Sequence, residues 1–364
     1  MGFFDKILGK KESPIVTYSD FWNWFLKHEK EFFKVVKSRQ NINKDFFNRL
    51  APKLDELHEG IYFLTGMFND QTAELILTPD GIIKNIYMVE DLVNNAPQIN
   101  GWKFTALKSG SNRKDFSINY DGIKFSTENL KFYPNVDEDY PDEIDLIISY
   151  DSYNEEKKSL ITNAVYIFLD NYLGELYTVT LIDKLKVVGV NDISQELIPM
   201  EKLKDYLIWR EKEFIEKYEG TRHNTENDGY ANFEWEREDN KVVLALINTT
   251  LLEWDKKASH PWIITVGIPF KKTDESGLPD DETYKLLDEI EEEIMFSLPD
   301  SDGYLNIGRE TSDGKREIFF ACKEFRKPPK VLDQIIKKYS QKFEMDYEIY
   351  KDKYWQSFKH FEQN

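Results

Sequence analysis

Five histidines, one cysteine and 67 carboxylates are the reactive inventory of this 364-residue chain, and their spacing decides which chemistry is open to it. His28, His58, His223, His260 and His360 are scattered, no two of them at a short metal-ligand spacing, and no H-E-x-x-H helix motif occurs. His223 with Glu226 and Asp228 falls in a polar, glycine-containing run that reads as a linker. Asp300-Ser301-Asp302-Gly303 opens like a calcium loop, but its glycine comes two positions early and no full ligand set follows, so it reads as a turn. Cys322 ends the run Ile318-Phe319-Phe320-Ala321-Cys322, which makes it a small buried hydrophobe and not a nucleophile. Glycine-rich phosphate loops and G-x-S-x-G elbows are both missing. No catalytic residue, metal ligand or cofactor site is therefore assigned.

Carboxylates in such number are no evidence for acid–base catalysis. The Asp137–Asp145 and Asp288–Glu293 clusters read as solvated faces. More informative are Arg309, Glu310, Arg316 and Glu317 on one hairpin, and Asp352 with Trp355 near the far end. Arg309 and Arg316 flank the hairpin and could meet Glu317 or Asp352. That arrangement makes either a surface ion-pair lattice of small energetic value or an anion- or peptide-binding patch beside Trp355.

Positioning these residues requires folded domains, and the composition supplies them. Aromatic residues make up 15% of the chain, too many for a disordered polymer. Net charge is −19, of which −9 lies from Thr221 onward and −10 before it, so both halves are acidic. Such a field repels nucleic acid and anionic membrane and suits a basic protein partner. A single cysteine excludes an internal disulfide. No apolar run reaches the roughly 18 residues needed to span a bilayer. Met1–Leu8 is too short and too charged for a signal peptide, which places the chain in the cytoplasm by default. Oligomeric state is not legible.

Hydrophobic periodicity predicts an amphipathic leader and linker over 1–15, an N-terminal α+β domain over 16–219, a linker at 220–229 and a second domain over 230–364. Helices are expected from Ser19, over Lys44–Glu59, Met88–Asn95, Glu155–Tyr172 and Met200–Tyr218. Tyr177–Leu181 reads as a strand, and the whole N-terminal half as one domain with a mixed or antiparallel sheet. After the linker come strands at 230–237 and 242–248, then a strand with alternating burial from Trp262 to Phe270. A helix with the apolar stripe Leu286, Leu287, Ile290, Ile294 and Leu298 follows. Next are a hairpin around Ser312-Asp313-Gly314-Lys315, a helix after Pro328-Pro329 and a last strand through Met345, Tyr347 and Ile349. The βαββαβ order predicts a ferredoxin-like sandwich with an extra N-terminal hairpin that extends the sheet or covers an edge.

His260-Pro261-Trp262, Gly277-Leu278-Pro279, the run Gly308–Phe320 and Asp352-Lys353-Tyr354-Trp355 together resemble the DUF695 family over about residues 228–361. That family is similar in fold to the regulator of ribonuclease activity B, an acidic inhibitor of an RNA-degrading endonuclease. The resemblance implies fold and assigns no activity.

These features favour a non-enzymatic binding or regulatory protein over an enzyme. Asp288, Glu289 and Glu292 on the acidic helix would steer a basic partner, ribonuclease-regulator-like or immunity-like. Arg309, Arg316, Asp352 and an exposed Trp355 or Tyr354 would complete the surface. The alternative is an enzyme or small-ligand sensor with a pocket between the two domains, using His260 or His28.

Overall fold

The computed structural model describes residues 13–111, 113–237, 241–272 and 277–362. Most of the expected leader thus lies outside the described residues. The chain is a mixed α and β structure that divides into two compact units, 1–109 and 110–364. The segment 220–229, expected as the domain boundary, falls inside the second unit. Its polar side chains are fastened there: the Thr225 amide and hydroxyl donate to Asp300 at 2.9 and 2.8 Å, and His223 lies 2.9 Å from Asp228.

In the first unit, helix α1 (Tyr18–Ser38) starts one residue ahead of the expected Ser19. Its cap is Thr17, which accepts the Asp20 amide while Asp20 returns to the Thr17 amide, a capping box. A π-helical turn (Asn43–Phe47) leads into α2 (Asn48–Leu57). Strands β1 (Tyr62–Asn69) and β2 (Thr72–Thr78) form an antiparallel hairpin, and α3 (Ile86–Asn94) crosses over to β3 (Trp102–Ala106), parallel to β2. Phe25, Phe32 and Phe46 are fully buried, with Phe25 edge-on to Trp102 at 5.0 Å.

The second unit opens with the ribbon β4 (Ser117–Tyr120) and β5 (Ile123–Ser126). Next come β6 (Leu130–Pro134) and β7 (Asp145–Tyr150). Helices α4 (Lys158–Leu173) and α5 (Glu175–Leu181) then carry the chain to β8 (Lys184–Gly189), parallel to β7. Strand β9 (Ile198–Pro199) completes a sheet of order β8-β7-β6-β9, and α6 (Leu203–Lys217) follows. The expected strand at 177–181 is therefore a helix. Thr178 and Thr180 bond their hydroxyls back to the carbonyls of Gly174 and Leu176 at 3.0 and 2.6 Å, which lets two β-branched residues sit in a helical turn.

A six-stranded antiparallel sheet occupies the rest: β10 (Tyr230–Glu236), β11 (Val242–Asn248), β12 (Trp262–Pro269), β13 (Tyr304–Ser312), β14 (Lys315–Cys322) and β15 (Asp346–Lys351), in the order β10-β11-β13-β14-β12-β15. The β10–β11 hairpin extends the sheet beyond β13. A short helix α7 (Thr249–Leu252) follows β11. Asp313 and Gly314 adopt φ 45° and 82°, the left-handed pair that a two-residue hairpin needs. Gly308 marks a bulge where a Cβ would stand 2.2 Å from the Leu246 carbonyl of β11, so only glycine lets that strand approach.

Both faces of this sheet are covered. Helices α8 (Asp281–Ser297) and α9 (Lys327–Tyr339) lie on one, reached by Arg316 and Tyr347, whose side chains bond Asp288 and Asp333. The other face carries Ile263, Leu305, Ile307 and Phe319, and the segment after β15 folds back over it with Trp355, Phe358 and Phe361. Asp352 starts that return by accepting the amides of Gln356 and Ser357 at 2.9 and 2.8 Å.

Candidate functional site

The seven polar and aromatic positions singled out in the sequence separate into three places. Asp288, Arg309 and Arg316 converge on the helical face of the sheet. Arg316, 1% exposed, donates to Asp288 at 2.6 Å and stacks over the Tyr284 ring at 4.8 Å. Arg309 donates to Glu291 at 2.8 Å and lies 3.5 Å from Asp288. The expected partners Glu317 and Asp352 are not used, because side chains alternate along a strand and Glu317 faces the other side from Arg316. Burial works against the Arg309 charge, but Glu291 and Asp288 raise its affinity for the proton. This is an inward lattice that fastens α8 to the sheet.

Glu289 and Glu292 stand apart from it, exposed on the outer side of α8. Asp352 and Trp355 are elsewhere again. Trp355 is 1% exposed, and its indole donates to the His260 carbonyl at 2.9 Å. The expectation of an exposed Trp355 anchor is thereby corrected: the return of the chain over the sheet turns that ring into the core. Tyr354 likewise points inward.

Tyr354 leads to a polar cluster that the sequence did not announce. Its hydroxyl donates to Asp142 at 2.6 Å, and Tyr218 and Lys217 reach the same carboxylate at 2.7 and 2.8 Å. Burial works to raise the Asp142 carboxyl, yet the donors from Lys217, Tyr354 and Tyr218 bring it below its ordinary value. Beside it, Asp183 accepts from Lys351 at 2.7 Å and from Lys353 at 2.8 Å. Lys353 also reaches the Asp142 carbonyl, and Lys351 the Thr180 carbonyl at 2.6 Å. Desolvation opposes ionisation of Asp183, and the two ammonium groups outweigh it and hold the carboxyl low. For Lys351 the balance runs the other way: burial brings the ammonium down to about 8 despite Asp183. Two lysines thus share one carboxylate in the interior.

A cavity of about 270 Å³ adjoins this cluster, between α5 and α6 on one side and the ends of β12, β14 and β15 on the other. Leu181, Phe214, Trp262 and Phe325 supply apolar walls, and Lys351 and Lys353 form part of its polar lining. This is a pocket between the 110–219 part and the large sheet. His260 and His28 are not among its lining residues.

His260 is fully buried instead. Ser259 Oγ, which donates to the Lys256 carbonyl at 2.7 Å, lies 2.8 Å from His260 Nδ1, an arrangement satisfied when Nδ1 carries the proton. Nε2 has no partner among the described residues. Burial, reinforced by Lys323 and His223, lowers the imidazole to about 4. The unfolded chain then takes up a proton near pH 6.5 while the folded one does not until about pH 4, so stability falls as pH drops through that window. Between about pH 7 and pH 5 the loss expected from this residue is about 2 kcal/mol. Urea unfolding at both pH values checks it, and His260→Phe should flatten the dependence. An equal slope in the variant would refute the assignment.

Among the described residues, no group of three or more His, Cys, Asp or Glu side chains could hold a metal ion, and no helix is long and apolar enough to cross a membrane. Cys322 is buried, and desolvation raises its thiol well above the ordinary value, which removes it as a nucleophile.

Residues 232–361 match a sequence family described as a family of unknown function, DUF695, which covers the sheet from β10 to the end of the return. No curated protein and no solved structure shows significant similarity to the chain.

Proposed function

We propose that this chain is a non-enzymatic binding protein that docks a basic protein partner, in the cytoplasm, on the outer face of α8. One observation carries the reading: Phe296 is 87% exposed at the end of a helix whose outward turns hold Glu289 and Glu292. These three positions share one face by helical spacing. The inner carboxylates are already engaged, Asp288 and Glu291 by arginines and Glu293 by Lys338 at 2.6 Å. Among the described residues no cation pairs with Glu289 or Glu292. A large exposed aromatic ringed by unpaired carboxylates suits a partner that presents an apolar pocket with a basic rim.

The order β15-β12-β14-β13, with both helices on one face, supports reading the C-terminal region as a ferredoxin-like sandwich. That architecture agrees with the likeness to the regulator of ribonuclease activity B, and with an immunity-like role.

Affinity capture from the native host, comparing the intact chain with Phe296→Ala and with Glu289→Lys/Glu292→Lys, tests the proposal. The expected result is one basic protein held at low salt, released at high salt and reduced at least tenfold by either variant. Capture that ignores both salt and the substitutions would reject this face as the docking surface.

A further inference from the structure

The cavity beside Asp183 is cationic in an acidic protein. Five basic side chains and two carboxylates line it, whereas in the whole chain 67 acidic residues outnumber 48 basic ones. Of these groups, Glu324 accepts the Tyr304 hydroxyl at 2.6 Å and the Arg326 and Lys327 amides at 2.7 and 3.0 Å, and Arg210 lies 3.9 Å from Glu213. Behind the lining, Asp183 offsets only one of the charges on Lys351 and Lys353. Lys323, exposed at the rim, pairs with no carboxylate among the described residues. The interior walls are aromatic and aliphatic, and cations rest on them: Lys353 lies 4.7 Å from the Phe214 ring, Lys351 5.9 Å from Trp262, and Arg326 4.6 Å from Phe325.

A hydrocarbon body and a negative head are what this combination recognises. The apolar walls gain by covering hydrocarbon, and a surplus positive charge in a desolvated site gains by acquiring an anion. At about 270 Å³ the space sits near the lower end of ligand pockets, suited to a short chain or single ring. We propose that the cavity binds a small amphiphilic carboxylate, an acyl or aryl acid, with its body against Leu181, Phe214, Trp262 and Phe325 and its head towards Lys351 and Lys323. The site is independent of the α8 surface and stands whether or not that surface docks a protein.

Octanoate, octylammonium and acetate are the probes, titrated calorimetrically into the full chain. Octanoate should bind saturably, with the cation of the same chain length and the acid lacking a body each at least tenfold weaker. Near pH 8, binding should take up protons, seen as a heat that varies with the ionisation enthalpy of the buffer, because an anion beside Lys351 favours its charged form. Lys351→Met keeps one lysine for one aspartate inside and should lose at least tenfold in octanoate affinity. Leu176→Trp, which fills the cavity without altering any charge, should abolish binding. The proposal fails if octanoate shows no saturable binding into the millimolar range or if octylammonium binds as tightly. It fails equally if Leu176→Trp leaves the affinity unchanged.

Discussion

Asp183→Asn should destabilise the protein by about 3–5 kcal/mol, the range seen when one partner of a buried ion pair is removed. The amide keeps the shape of the carboxylate and leaves Lys351 and Lys353 together without the carboxylate that they share. The Lys351 side chain is 12% exposed and that of Lys353 4%, so both ammonium groups have little access to water. Lys351→Met is the informative contrast, since Lys353 then retains Asp183 one to one and the interior stays neutral. Chemical denaturation of both variants decides the point. If Lys351→Met costs as much as Asp183→Asn, packing and not charge balance governs the cluster. The sign with pH is defined too: the Asp183 carboxyl is held below its unfolded value, so its contribution is complete above about pH 4 and disappears as pH falls below that.

Trp355→Ala should also cost about 3–5 kcal/mol, through the cavity left by a large buried ring and the loss of its bond to His260. Trp355 packs 6.2 Å from Trp254 and belongs to the cluster that includes Phe358 and Phe361, so the whole return segment depends on it. Trp355→Phe should recover most of the loss. Phe296→Ala, by contrast, removes an exposed ring and should alter stability by no more than about 0.5 kcal/mol. Measured side by side, the two substitutions separate folding from docking. A stable Trp355→Ala protein would mean that the return segment is not part of the core.

Legibility in the sequence followed the range of the interactions. The strand from Trp262 announced itself by alternation, the β13–β14 hairpin by Asp313-Gly314, and α8 by its apolar stripe, because each signal lies within one element. The polar cluster gave no local sign. Asp142 and Asp183 lie 212 and 170 positions from the Tyr354 and Lys353 that complete them, and a lone aspartate before a strand looks the same whether solvated or buried. Trp355 was misleading for a related reason: the polar run Asp352-Lys353-Tyr354 suggests surface, whereas its polar groups are taken up by chain caps and distant carboxylates. Helix α5 was hidden by its β-branched composition. The polar segment 220–229 looked like a free linker because hydrogen bonds to Asp300 leave no hydrophobic trace. Of the proposed docking face, the carboxylates were visible and Phe296 was not, since only a structure tells which side of a helix is left uncovered.

The return of the chain over the large sheet has a consequence for how the protein is made. Synthesis proceeds from the amino end, and early regions begin to fold while later ones are still being added. Asp183 and Asp142 emerge from the ribosome long before Lys351, Lys353 and Tyr354 exist. Until those residues arrive, Asp183 lacks both of its lysines, and Asp142 has Lys217 and Tyr218 but not Tyr354. A nascent chain stalled short of Lys351 therefore has Asp183 without either of the lysines that hold its charge in the folded protein.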